Sequence, residues 1–230
     1  MTATVAPDHP FIDAPAPWTL RGRGYILAIR MPEAVLANCQ HTPAELRASR
    51  RSPLSLAMLV DYAESPAGPY QELLFIPGTF DFKGLRRPSI SRIFVSTMDS
   101  VINGRRNWGI PKDRCDFNID WQEDGIDRAE LTGDDGSSIA RLVLAARGPR
   151  LPMPGHWLPK RLRTLSQLWE GHQFTLAPSA RGSLRRARVL DWAFDAEQFP
   201  DLAQGRCVAA FQIPEFEMLF PEASVRRWHD

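Results

Sequence analysis

The sequence predicts an α+β protein that is mainly β, with short strands and two or three brief helices in a sheet that curls toward a barrel. Three observations predict it. Twenty prolines stand against 15 glycines in 230 residues, and proline at that density breaks long helices while suiting short strands joined by turns. Residues 115–147 alternate apolar and polar side chains and are interrupted by Asp-Gly turn pairs. The remaining apolar runs are separated by turn signals rather than by helix-length segments, which excludes a helical bundle and a doubly wound parallel sheet. Closure is expected because it removes exposed sheet edges.

Residues 1–17 carry Pro7, Pro10, Pro15 and Pro17 with little periodicity and read as an arm, leaving 18–230 as one domain. Tyr25 to Arg30 is a short apolar strand, and Pro32-Glu33 opens a helix running through Val35, Leu36 and Cys39. Leu54 to Tyr62 and Tyr70 to Ile76 form a hairpin across the turn-rich Glu64–Pro69 segment. Ile90 to Thr97 is a further strand. Asp99 or Ser100 then caps a short helix through Val101, Ile102 and Arg105, ended by Asn107 to Pro111. Cys115, Phe117, Ile119 and Trp121 alternate against Asp116, Asn118 and Asp120. With turns at Asp124-Gly125 and Asp135-Gly136, they start a three-strand meander that continues through Ile126–Leu131 and Ser138–Arg147. Trp157–Trp169 is proline-led and mixed; strands follow at Gln173–Leu176, Leu184–Trp192 and Cys207–Ile213, with a short helix near Glu197–Ala203.

A net charge of +1 announces neither a nucleic-acid footprint nor a polybasic membrane anchor. Without a basic, apolar leader or a membrane-length apolar run, the expected location is the cytoplasm. Cys39, Cys115 and Cys207 are odd in number and lack Cys-x-x-Cys spacing, so neither a disulfide scaffold nor a cysteine zinc site is expected. The five histidines (His9, His41, His156, His172 and His229) never fall at i, i+4 or beside an acidic partner in a metal-binding pattern. No phosphate loop or nucleophile elbow is present, and Gly22-Arg23-Gly24 is only a fragment of a dinucleotide fingerprint. The expectation is that no metal and no cofactor is used.

One segment stands out. In Gly104-Arg105-Arg106-Asn107-Trp108-Gly109-Ile110-Pro111-Lys112, two glycines, a proline and an indole surround one of only three lysines in the chain. Such a loop is conformationally fixed, and a lysine beside an apolar ring can be desolvated, which disfavours its ammonium and exposes a nucleophilic amine. The residues alone leave open a surface lysine in a tight turn. The run Gly-Arg-x-x-Trp-Gly-x-Pro-Lys at 104–112, preceded by Ser89-Ile90-x-Arg92-Ile93-Phe94-Val95 and by Tyr70-x-Glu72-Leu73-Leu74, resembles the acetoacetate decarboxylase-like superfamily. The resemblance runs from about Trp18 to about Ile213.

That resemblance implies a single-domain, mostly antiparallel, cone-shaped β-barrel with an interior pocket, assembled as a homo-oligomer and acting on a small keto acid. Membrane and nucleic acid are not expected partners. It places Lys112 as the Schiff-base lysine, Glu72 as the pocket carboxylate and Arg23 as the pocket arginine, with Tyr70 and Trp108 against the substrate. A neutral lysine amine can attack a ketone and give an iminium that accepts the electrons of a breaking carbon–carbon bond. An arginine can hold a substrate carboxylate bidentately, and a glutamate can shuttle protons. The expected function is a lysine-dependent lyase, by decarboxylation or by aldol addition and dehydration. The alternative is a non-catalytic barrel that binds a small carboxylated or apolar molecule.

Read without the resemblance, Glu72 could be a strand carboxylate facing solvent, Arg23 a partner of any acidic group, Trp108 a packing residue, and the Arg181, Arg185, Arg186, Arg188 cluster a solvated strand face. Two positions depart from the family pattern: Asp113 stands where the decarboxylases have a second lysine, and Arg106 where glutamate is common. Neighbouring residues on an extended segment face opposite ways, so Asp113 is expected to point away from Lys112.

Overall fold

The computed structural model describes residues 10–37, 41–52, 54–123, 125–153 and 159–229. Fifteen strands and four short helices follow one another along these residues. In the first half they are β1 (Trp18–Arg30), α1 (Glu33–Ala37), α2 (Ala44–Arg47), β2 (Ser55–Glu64), β3 (Tyr70–Ile76), β4 (Thr79–Phe82), β5 (Leu85–Pro88), β6 (Arg92–Val95) and α3 (Met98–Trp108). The second half holds β7 (Lys112–Arg114), β8 (Asp116–Asp120), β9 (Ile126–Thr132), β10 (Ser138–Met153), α4 (Lys160–Arg163), β11 (Leu165–Trp169), β12 (His172–Leu176), β13 (Ser179–Phe194), β14 (Arg206–Phe220) and β15 (Ser224–Arg227). The protein is mainly β with short helices, as its sequence predicts.

Ten strands form one sheet in the order β7-β6-β3-β2-β1-β14-β13-β10-β9-β8. Its two edges, β7 and β8, are consecutive in the chain and separated only by Cys115. The sheet must therefore curl until its edges meet, and the Cys115 amide donates to the Val95 carbonyl at 3.0 Å where they do. The barrel is nearly closed by the chain itself. All neighbouring strands in this sheet run antiparallel except β6 and β7, which run parallel because α3 carries the chain back between them.

The pleat sorts the strands' side chains into two cores. Odd residues of β1 and β3, such as Leu27, Ile29, Leu73 and Phe75, fill the barrel with Leu131, Leu142, Leu144 and Phe199. Even residues, such as Leu20, Tyr70, Leu74 and Ile76, enter a second core on the opposite face, covered by Val101 and Trp108 of α3 and by Leu176 of β12. The described part of the arm lies along α3: Ile12 and Ala14 amides donate to Asp99 Oδ1 and Asn103 Oδ1 at 3.1 and 3.0 Å.

Several boundaries differ from the sequence reading. β1 starts at Trp18 rather than Tyr25, because Gly22 and Gly24 interrupt the apolar alternation while keeping the strand: a Cβ on either would fall 2.2 or 2.4 Å from a carbonyl oxygen of β2. The helix cap is Thr97, two residues before Asp99 and three before Ser100, and its side chain accepts from the Ser100 amide. β13 and β14 are 16 and 15 residues long, extending past the expected spans through Ser179–Ser183 and Pro214–Phe220, where Gly182 and Pro214-Glu215 break the apolar alternation. The β4–β5 hairpin lies where no strand was read, and the helix near Glu197–Ala203 is a single 3-10 turn at Leu202–Gln204. The first helix reaches Ala37; Cys39, like Asp124 of the turn, lies outside the described residues.

Candidate active site

The nine-residue run at 104–112 is the end of α3, its cap and the start of β7. Gly109 caps the helix in the left-handed region at φ 61°, and its N–H bonds the Arg105 carbonyl at 2.9 Å. Gly104 sits inside the helix, where glycine costs about 1 kcal/mol against alanine. Its compensation is space: a Cβ there would lie 2.6 Å from Lys112 Cδ and 2.8 Å from Cε. Arg105 donates from Nε to the Lys112 carbonyl at 2.9 Å, tying helix to strand. Trp108 is buried, donates its indole N–H to the Pro221 carbonyl at 2.7 Å, and meets Trp18 and Phe220 edge-on, each at 4.9 Å between centroids. The motif is thus a device for laying the lysine stem across a helix at close range.

Lys112 opens β7 beside Ile93 and projects into the second core, where it is 3% exposed. Its Nζ lies 3.1 Å from Glu72 Oε2, donates to Ser100 Oγ at 2.9 Å, and is 3.5 Å from the Tyr70 hydroxyl. The Tyr70 ring centroid is 4.8 Å from the same nitrogen, a cation–π contact. Tyr62, paired in register with Tyr70, donates its hydroxyl to Glu72 Oε1 at 3.3 Å. Burial first, and then the Glu72 carboxylate, push the Tyr62 and Tyr70 hydroxyls well above the ordinary tyrosine range, so both stay protonated and available as donors.

All of these groups except Ser100 line a cavity of about 280 Å³ whose remaining wall is largely aliphatic and aromatic, from Ile26, Met58, Val60, Leu74, Ile93 and Phe216 among others. Four of the five residues that the motif resemblance points to line it: Lys112, Glu72, Tyr70 and Trp108. The fifth does not. Arg23 has odd parity in β1 and turns away from the cavity-facing Gly24 and Ile26; its side chain is 46% exposed, pairs with Asp61 at 3.3 Å and stacks on Trp121 at 4.3 Å. The expectation of a pocket arginine at Arg23 is corrected by the pleat. Asp113 also lies on the opposite side of its strand from Lys112, its carboxylate held by Arg92 and, at 2.7 Å, by Arg105.

Ser100 and Tyr62 enter the site without having been singled out for it. Ser100 stands four residues before Gly104 on the same helix face, a spacing that signals a shared neighbour once the glycine is read as a place of close approach. Tyr62 alternates with Val60 and Met58 on β2, so its facing was readable, but its contact with Glu72 depends on strand register. Among the described residues, no group of three or more His, Cys, Asp or Glu is placed to hold a metal ion. No helix among them is long and apolar enough to cross a membrane.

No family model matches the chain, and no curated protein matches it. Solved structures do. An acetoacetate decarboxylase-like enzyme from Sphingomonas wittichii superposes with a TM-score of 0.69 over 99% of this chain and 98% of its own, at 13% identity. Acetoacetate decarboxylase from Legionella pneumophila gives 0.67 over 97% and 92% at 13% identity. The enduracididine biosynthesis enzyme MppR, solved with pyruvate, gives 0.67 over 95% and 93% at 11% identity. The protein has the fold of the acetoacetate decarboxylase-like superfamily.

Proposed function

We propose that the protein is a Schiff-base-forming lyase acting on a keto acid through Lys112, by decarboxylation or by aldol addition and dehydration. The observation that carries this reading is the buried lysine nitrogen 3.1 Å from the Glu72 carboxylate at the end of a cavity. In the proposed cycle Glu72 takes a proton from the Lys112 ammonium, and the neutral amine adds to the ketone carbon. The carbinolamine oxygen then receives protons and leaves as water, giving the iminium. In the decarboxylation of a β-keto acid, the electron pair of the bond between the α-carbon and the carboxylate moves into the iminium, carbon dioxide departs and an enamine remains. Proton return to carbon and hydrolysis of the resulting iminium free the product and the lysine. Tyr70 and Tyr62 supply hydroxyls for the substrate's oxygens, and Ser100 positions the Lys112 nitrogen.

Support comes also from Asp113, whose negative charge is spent on two arginines rather than on Lys112. The neighbouring structures described as acetoacetate decarboxylases, and the pyruvate bound to MppR, belong to proteins of the same fold and lend the reading its chemistry.

A second reading is a binding barrel without turnover, favoured by the close Lys112–Glu72 pair if that pair never gives up its proton. Borohydride treatment with a panel of keto acids near neutral pH, followed by intact mass, separates the two. A reduced adduct on the wild-type protein that is absent from Lys112→Arg is expected. Trapping undiminished in Lys112→Arg, or no trapping with any keto acid, overturns the lyase reading.

A further inference from the structure

The cavity is larger and more apolar than the reacting end of a short keto acid requires. Its volume of about 280 Å³ equals roughly nine water-sized shares of ~30 Å³. Its polar groups are gathered at the Lys112 end. Among the described lining residues, the other ionisable side chains are Arg163, whose Nη1 donates to the Ala177 and Pro178 carbonyls at 2.6 Å while its buried Nε has no hydrogen-bond partner, and Tyr25, whose hydroxyl donates to Asp127 at 2.6 Å on the barrel side.

The register shows where the apolar part runs. Lys112 stands beside Ile93, Ile93 beside Leu74, Leu74 beside Met58 and Met58 beside Ile26, one residue from each successive strand on the same face. Three strand steps of ~4.8 Å separate Lys112 from Met58. The row forms an apolar floor perpendicular to the strands, beside which the amine lies at Glu72, two residues from Leu74 on the same face of β3, and Val60 and Phe216 also line the cavity. An occupant ending at Lys112 would leave that floor bare unless it carried an apolar chain.

From this, and resting on the Schiff-base reading, we infer that the substrate is a carbonyl compound bearing an unbranched or aromatic apolar tail. The carbonyl sits at Lys112 and the tail lies along Ile93, Leu74 and Met58. Pyruvate and acetoacetate fill only the polar end. A tail methylene that moves from water onto this floor contributes about 0.8 kcal/mol, so apparent affinity rises about three- to fourfold per added carbon until the cavity is full.

The test uses the full-length protein and straight-chain α-keto acids from pyruvate to the octanoic homologue, trapped with borohydride and read by intact mass. In parallel, calorimetry with the matching saturated carboxylic acids, which cannot form an iminium, reads binding alone. Half-maximal trapping at progressively lower concentration as the chain lengthens is the expected result. Met58→Trp, its fold checked by circular dichroism, shifts the preferred chain toward shorter acids, because the indole fills the far end of the floor. Trapping and binding that do not improve beyond pyruvate, or a chain-length preference unmoved in a folded Met58→Trp, overturn the inference. Binding that strengthens with chain length while no acid is trapped supports the apolar tail and overturns the Schiff-base reading alone.

Discussion

The two faces of the main sheet each bury a carboxylate, and the two carboxylates do different things. Inside the barrel, Asp127 accepts from the Tyr25 hydroxyl at 2.6 Å, from Gln212 Nε2 at 2.8 Å and from the Gln122 amide at 2.8 Å. Gln212 also donates to the Tyr25 hydroxyl at 3.0 Å, and Tyr25 stacks on Trp121. Every partner of Asp127 is neutral, and Tyr25 belongs to the barrel core although it also borders the cavity. Across the sheet, Glu72 is as deeply buried but meets an ammonium, and the space beyond it is a cavity. Burial with complete neutral hydrogen bonding makes a structural clasp, whereas burial against a charged partner at an apolar cavity makes a place where chemistry can occur. Perturbed surroundings alone would not have told the two apart.

The sharpest way to break the comparison is to remove one charge on the cavity side. Glu72→Gln leaves the Lys112 ammonium buried without its counter-charge, and stripping one partner from a buried pair costs about 3–5 kcal/mol. Urea unfolding of Glu72→Gln measures this; a loss typical of a surface substitution would show that the pair is not held out of water. The Lys112→Met, Glu72→Gln double variant should recover most of the loss, since no unpaired charge remains.

On the barrel side Asp127→Ala leaves the Tyr25 hydroxyl and one Gln212 donor short of an acceptor, at about 2–3 kcal/mol. Borohydride trapping per folded molecule should be unchanged, and a fall in trapping beyond the unfolded fraction would join the two clusters that the sheet keeps apart. The same interior should weaken in alkali. Burial pushes the Cys115 thiol from its ordinary value of 9.0 up to about 12. A raised value means the fold favours the neutral thiol, so this contribution is complete below about pH 9 and lost as pH climbs toward 12. Cys115→Ala removes that titration, and its thermal midpoint should decline less than that of the wild type between those limits.

Gly104→Ala separates position from stability. The added methyl gains up to ~1 kcal/mol of helix propensity and meets only the flexible lysine stem, which must move. Stability should stay within about 1 kcal/mol of wild type while the trapping rate falls on the order of a hundredfold, the effect of a displaced reacting atom. Equal trapping would mean that the stem has room the structure does not give it. The smallest effect belongs to Asp113→Asn, whose half-exposed ion pairs to Arg92 and Arg105 are worth about 1 kcal/mol or less. The pH profile of trapping should barely move; a displaced profile would mean that Asp113 reaches Lys112 after all.

The sequence alone determined the mainly β character, the meander from Cys115 to Arg147, the β2–β3 hairpin and the glycine stop ahead of Lys112, although the segment expected as a loop is the last turn of α3 and its cap. Each follows from interactions within a few residues: proline and Asp-Gly turns, period-two alternation, and a glycine that ends a helix. Parity also predicts that Asp113 faces away from Lys112, since it needs only the pleat. The longer reach of β1, β13 and β14 stayed hidden, because strands interrupted by glycine or proline show no continuous apolar period. Only tertiary structure decided that Glu72 reaches Lys112 and Arg23 does not. That outcome depends on the register of β3 against β6, on β7 returning parallel after α3, and on which face of β1 meets the cavity. Those are long-range pairings, set by packing two cores on opposite sides of one curled sheet, and no local pattern of side chains specifies them.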